Sequence, residues 1–143
     1  MKYIFLDFDG VLHGNKQNTE PFCLLDNFEE RLKPYEDKFK IVISSSWRNL
    51  YDFNDLKEIL FLKLNNIIGI TPDLSKERLE FERYEEVLEY CKINKIDFYD
   101  CLCVDDSESL FPWDYLFLLL TDSDKGITNE DIDKIIEFIN HKY

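Results

Sequence analysis

Five short apolar runs punctuate the chain, at Tyr3–Leu6, Lys40–Ile43, Ile67–Ile70, Cys101–Val104 and Tyr115–Leu120, and most of them stop at Asp, Ser or Thr. Apolar runs of this length without polar alternation predict strands buried on both faces. Between them lie segments with helical periodicity, Leu24–Tyr35, Phe53–Leu64, Leu79–Ile93 and Asn129–Asn140. In the third, Phe81, Tyr84, Val87, Leu88 and Cys91 recur at spacings of three and four, which places them on one face and leaves Glu82, Glu85, Glu86 and Glu89 mostly elsewhere. Strands alternating with such helices imply parallel βαβ units, so the expected fold class is α/β: a doubly wound, Rossmann-like, five-stranded parallel sheet. In such sheets ligands bind beyond the carboxyl ends of the strands, where strand order reverses. Function is therefore to be sought where the apolar runs stop.

The 143 residues contain only four glycines and four prolines, with no repeat and no linker-like tract, so residues 1–143 are expected to form a single domain. Thirty acidic against seventeen basic residues give a net charge of -13. That field disfavours an extended nucleic-acid track and requires local cations wherever an anionic substrate binds. Cys23, Cys91, Cys101 and Cys103 have no paired metal-ligand spacing, and the strand-like start lacks a basic leader; a reducing cytoplasm is the expected compartment. Cys101 and Cys103, two apart in a strand, should face one side and pack in the core. The longest apolar run is far too short to span a bilayer, so no membrane partner is expected.

The first strand runs into Asp7-Phe8-Asp9-Gly10-Val11-Leu12. A turn beginning at Gly10 can aim the two carboxylates differently, one to attack phosphorus as a nucleophile and the other to handle a proton. The second strand delivers Ser44-Ser45-Ser46-Trp47-Arg48, a run of hydroxyls and backbone N–H groups at a strand end that suits phosphate and also suits a helix N-cap. The fourth ends in Asp105-Asp106, adjacent carboxylates that repel in a dry crevice unless a divalent cation compensates them. Lys76, Arg78 and Arg83 compete to supply a fixed cation.

Taken in order, these features resemble the haloacid dehalogenase (HAD) superfamily. Asp7-x-Asp9-Gly10-Val11-Leu12 looks like its first motif, Ser44 or Ser45 its second, Arg83 its third and Asp105-Asp106 its fourth. Within the superfamily the chain is similar to small capless phosphatases, including the HAD domain of Swiss-army-knife RNA repair proteins. The resemblance implies strand order 5-4-1-2-3 and Mg²⁺ held by the Asp7 carboxylate, the Asp9 backbone carbonyl and a carboxylate of the Asp105-Asp106 pair, Asp106 being the first choice. It further implies catalytic roles for Asp7, Asp9, Ser44 and Arg83, with Ser44, Ser45, Gly10 and Arg83 around the phosphate. The third motif is most often lysine in the superfamily; Arg83 is preferred here because 105 − 83 = 22 residues leaves room for one helix and one strand.

Covering domains in the superfamily are inserted after the first motif or between the second and third. Here those intervals are 44 − 7 = 37 and 83 − 44 = 39 residues, already filled by the expected elements. The crevice is therefore expected to be open to solvent or covered by another macromolecule, with a phosphorylated nucleotide or nucleic-acid terminus as substrate. The expected function is a Mg²⁺-dependent phosphomonoesterase working through an aspartyl phosphate. The alternatives are a phosphotransferase and a non-catalytic Mg²⁺- or phosphate-binding module of the same fold. His13 reads as a solvated loop residue within reach of substrate, His141 as a chain-end residue, and Trp47 and Trp113 as core or rim packing, with base stacking as their alternative.

Overall fold

The computed structural model describes residues 1–113, 115 and 117–142. Its strands, β1 (Lys2–Leu6), β2 (Phe39–Ile43), β3 (Ile67–Ile70), β4 (Cys101–Asp105) and β5 (Leu118–Leu120), form one sheet in the order β3-β2-β1-β4-β5. All four pairings are parallel, so the expected order is obtained, with the central β1 flanked by β2 and β4. The helices are α1 (Leu25–Leu32), α2 (Phe53–Leu60), α3 (Glu82–Asn94) and α4 (Asn129–Asn140).

Alternate strand residues serve two cores. Ile4, Leu6, Ile41, Ile43, Leu102 and Val104 pack with apolar residues of α1 and α4, while Phe5, Val42, Cys101 and Cys103 pack with Val87 and Cys91 of α3. Cys101 and Cys103 thus share a buried face, as their spacing predicts. Every cysteine is a free thiol.

Helix ends deviate from expectation for identifiable reasons. Pro34 follows α1, and the chain tightens into a 3-10 turn at Lys33–Lys38 instead of continuing as α-helix to Tyr35. Helix α2 stops at Leu60, four residues early, because the next segment turns back onto α1: the buried Glu29 carboxylate accepts from the amides of Leu62, Lys63 and Leu64 at 3.3, 2.9 and 2.7 Å. Helix α3 starts at Glu82, not Leu79, since Phe81 immediately before it is non-helical at φ -117°, ψ 74°. Helix α4 has its expected bounds, fixed by a reciprocal capping box between Thr128 and Asp131. Strand β5 begins only at Leu118; Tyr115 lies before it, and Leu116 of the expected run falls outside the described residues.

Glu86 corrects the helical-face reading: it is fully buried, because Arg48 and Arg83 meet it from inside. Between β1 and β2 the described elements are α1 and its 3-10 extension, and between β2 and α3 they are short turns, α2 and β3. No cap layer is evident among the described residues.

Because Glu29 satisfies three amides where the chain re-enters the sheet, Glu29→Ala should lower the free energy of unfolding by about 2–4 kcal/mol in urea titration. A loss below about 0.5 kcal/mol would show that water satisfies those amides equally well.

Candidate active site

Backbone pairing continues just past the strand ends and brings the polar residues into one row. The Asp7 amide donates to the Val104 carbonyl at 3.0 Å, the Ser44 amide to Leu6 at 2.8 Å, the Thr71 amide to Ile43 at 2.9 Å and the Thr121 amide to Asp105 at 3.0 Å. The switch point therefore lies between β1 and β4, with Asp7 and Asp105 facing each other across it. Asp7, Asp105 and Asp106 each direct a carboxylate oxygen to a common point, with these atoms within 4.8 Å of one another.

Gly10 makes that convergence sterically feasible. Its φ of +76° is left-handed, and a Cβ there would lie 2.0 Å from Asp106 Oδ2. Its amide donates to the His13 carbonyl at 2.9 Å, and its carbonyl accepts from the Thr121 hydroxyl at 2.7 Å. The Gly10 amide, expected near the phosphate, is thus engaged in closing the turn, and what the residue contributes here is room for Asp106.

Arg83 is the cation brought into the cluster. Its guanidinium lies 3.4 Å from Asp7 Oδ1 and 3.2 Å from Asp105 Oδ2 and donates to the Ser44 carbonyl. Lys76 and Arg78 remain exposed on the turn before α3. Glu86 steadies Arg83 from behind, 3.7 Å from its Nε, while accepting from Arg48 at 2.6 Å and from the Leu74 amide at 2.9 Å. This buried bridge was missed in the sequence reading; its one signal was the three-residue spacing from Arg83.

Burial pushes the Asp7 carboxyl well above the usual range; Asp105 reinforces the shift and Arg83 opposes it. Burial likewise raises Asp105 to about 6 against the pull of Arg83. Desolvation works against the Arg83 cation, but Asp105, Asp7 and Glu86 outweigh it and raise its pKa. Three carboxylates against one guanidinium leave two formal negative charges when all are ionised. A hard divalent cation matches that deficit and an all-oxygen donor set, so the residues present fit Mg²⁺.

Of the serines, Ser45 uses its hydroxyl as an N-cap, accepting from the Trp47 amide at 3.3 Å, while Ser44 is buried beside Arg83 at the end of β2. Asp9 is different in character, with 47% of its side chain exposed. Its carboxylate accepts from His13 Nε2 at 2.8 Å and from the Trp47 indole N–H at 3.2 Å to each oxygen. His13 is therefore buried in a hydrogen-bonded position, contrary to the solvated-loop reading. Trp47 packs at the rim against Phe22, whereas Trp113, expected to pack, is 92% exposed. His141 is exposed at the far end of α4.

A family model described as the HAD domain in Swiss Army Knife RNA repair proteins matches residues 3–132. The chain belongs to the HAD superfamily. This agrees with its strand order and with a phosphohydrolase type of activity. Comparisons with curated proteins and with solved structures give no significant match. The acidic cluster sits where β1 and β4 end side by side, at the topological switch point of the sheet.

The raised Asp105 carboxyl gives a pH prediction. A folded-state pKa of about 6 against an ordinary value of 3.8 means that the folded chain binds this proton more tightly than the unfolded chain. The associated stability is fully present below about pH 4 and lost as pH rises through 6. In EDTA, Asp105→Asn should therefore gain stability relative to wild type as pH rises from 4 to 7, read as a widening difference in Tm. A difference independent of pH would contradict the shift.

Proposed function

We propose that this chain is a Mg²⁺-dependent phosphomonoesterase that acts through an aspartyl phosphate on Asp7. The observation that carries this reading is the convergence of Asp7, Asp105 and Asp106 beside the buried Arg83. Asp7 attacks phosphorus in line, while Asp9 gives a proton to the departing oxygen; Asp9 then takes a proton from the water that hydrolyses the acyl phosphate. Asp9 suits this second task because its carboxylate, unlike that of the buried Asp7, is partly open to solvent.

Mg²⁺ would be held by the Asp7 carboxylate, the Asp9 backbone carbonyl and Asp106, with Asp105 alongside, and supplies charge neutralisation for the phosphoryl group. Asp106 is the preferred direct ligand because among the described residues it accepts only long bonds from neutral donors, Asn15 at 3.3 Å and the Ser107 hydroxyl at 3.4 Å, whereas Asp105 is held by the Arg83 cation and by the Ser107 amide at 2.9 Å. Arg83 neutralises phosphoryl charge, and the Ser44 hydroxyl, the one not spent on the N-cap, orients it.

The substrate is a phosphorylated nucleotide or nucleic-acid end. The family description points to RNA repair proteins, and the intervals that carry caps elsewhere are filled by core elements here, which suits a bulky substrate. With a net charge of -13, affinity should come from the terminal phosphate and not from a long basic track.

Hydrolysis of an aryl phosphate should require Mg²⁺ and disappear in Asp7→Asn, whose amide is neither a competent nucleophile nor a strong hard-cation ligand; near wild-type turnover by that variant would refute the mechanism. A phosphorylated dinucleotide and a long phosphorylated oligonucleotide should give similar kcat/KM with a shallow salt dependence. A steep gain with length would reveal a basic track, and a strong preference for a small sugar phosphate would refute the open-site reading.

A further inference from the structure

The Asp9 carboxylate is gripped asymmetrically by two side chains outside the four motifs. The Phe22 amide donates to His13 Nδ1 at 3.1 Å, so the His13 hydrogen resides on Nε2 and is donated to Asp9 Oδ1 at 2.8 Å. The Trp47 indole N–H, which can only donate, spans both oxygens at 3.2 Å. Oδ1 thus receives two donors, and Oδ2 only a share of one.

The supports of this grip are rigid. The His13 side chain is 11% exposed and meets the Phe22 ring edge-on at 5.0 Å, and Phe22 in turn meets Trp47 at 4.9 Å. His13 is anchored from its backbone as well, since its carbonyl accepts the Gly10 amide. Asp9, His13, Phe22 and Trp47 form a closed ring of contacts that joins the loop after β1 to the turn after β2.

Resting on the phosphatase reading above, we infer that His13 and Trp47 are positioning residues that fix the Asp9 carboxyl and leave Oδ2 as the oxygen that exchanges the proton with the leaving group. An Asp9 free to rotate spends less time with Oδ2 at the leaving oxygen, and misplacement on the order of 1 Å costs up to about a hundredfold in rate. That cost falls only on steps that need the proton. Loss of the grip should therefore slow formation of the acyl phosphate according to the leaving group and its hydrolysis alike for all substrates, whereas damage to the phosphate or metal site should slow formation irrespective of the leaving group.

The test compares wild type, His13→Leu, His13→Gln and Trp47→Phe on an aryl phosphate and an alkyl phosphate in Mg²⁺, with circular dichroism as a fold check. Gln retains a donor near the Nε2 position, and Phe keeps a ring without the N–H. For His13→Leu, the single-turnover rate of leaving-group release from the alkyl phosphate should fall roughly 30- to 100-fold and from the aryl phosphate less than about threefold, whereas breakdown of the acyl phosphate, which also needs Asp9, slows alike for both. His13→Gln should recover most of the alkyl-phosphate rate. Trp47→Phe should show the same selectivity and decides the matter where His13→Leu does not fold. Equal losses in the rate of leaving-group release from both substrates, or none, in folded variants of an active wild type would overturn this inference and leave the phosphatase reading standing. A wild type inactive on both substrates would overturn the two together.

Discussion

The buried meeting of Asp7, Asp105 and Arg83 is the interaction on which the rest of the site depends. Two carboxylates at the ends of adjacent parallel strands cannot both ionise in a dry crevice without compensation. Burial pushes both carboxyls upward, neighbouring carboxylates add to the rise, and one guanidinium offsets only part of it. The arrangement fits a divalent cation in the same place. Local charge, not the net charge of -13, then governs whether an anion is accepted.

Much of the architecture serves to hold that contact. The β1–β4 pairing fixes the separation of Asp7 and Asp105, and α3 projects Arg83 across the ends of both strands. Glu86 and Arg48, buried behind Arg83, keep its side chain from swinging outward. Gly10 leaves space for Asp106 to join. On the other side of Asp7, Asp9 occupies a separate, more exposed setting held by imidazole and indole, so two carboxyls two residues apart inhabit different environments. The proposed division of one reaction between an attacking and a proton-transferring acid rests on that difference.

The sheet was readily legible in the sequence, because strands buried on both faces appear as unbroken apolar runs and their polar terminators mark the crevice. Asp7, Asp105, Asp106 and Arg83 were legible for the same reason: each lies at, or one helix away from, a strand end. Helix limits were not, since they depend on distant partners, as when Glu29 gathers the amides after α2. Glu86 and His13 were misread because their burial is decided by ion-pair and hydrogen-bond partners brought close only by the fold. Trp47 was placed at the rim, but the aim of its N–H at Asp9 depends on the turn that Ser45 caps.

The central claim is that Asp7 is the phosphorylated group, and acid-quenched single-turnover reaction of Asp9→Asn with a ³²P-labelled aryl phosphate tests it directly. Removing the water-activating carboxyl slows breakdown of the acyl phosphate more than its formation from a good leaving group. Label is expected on the peptide containing Asp7, labile to hydroxylamine and missing when Asp7→Asn is added. Turnover of substrate with no protein-bound label, or label at another residue, would contradict the claim.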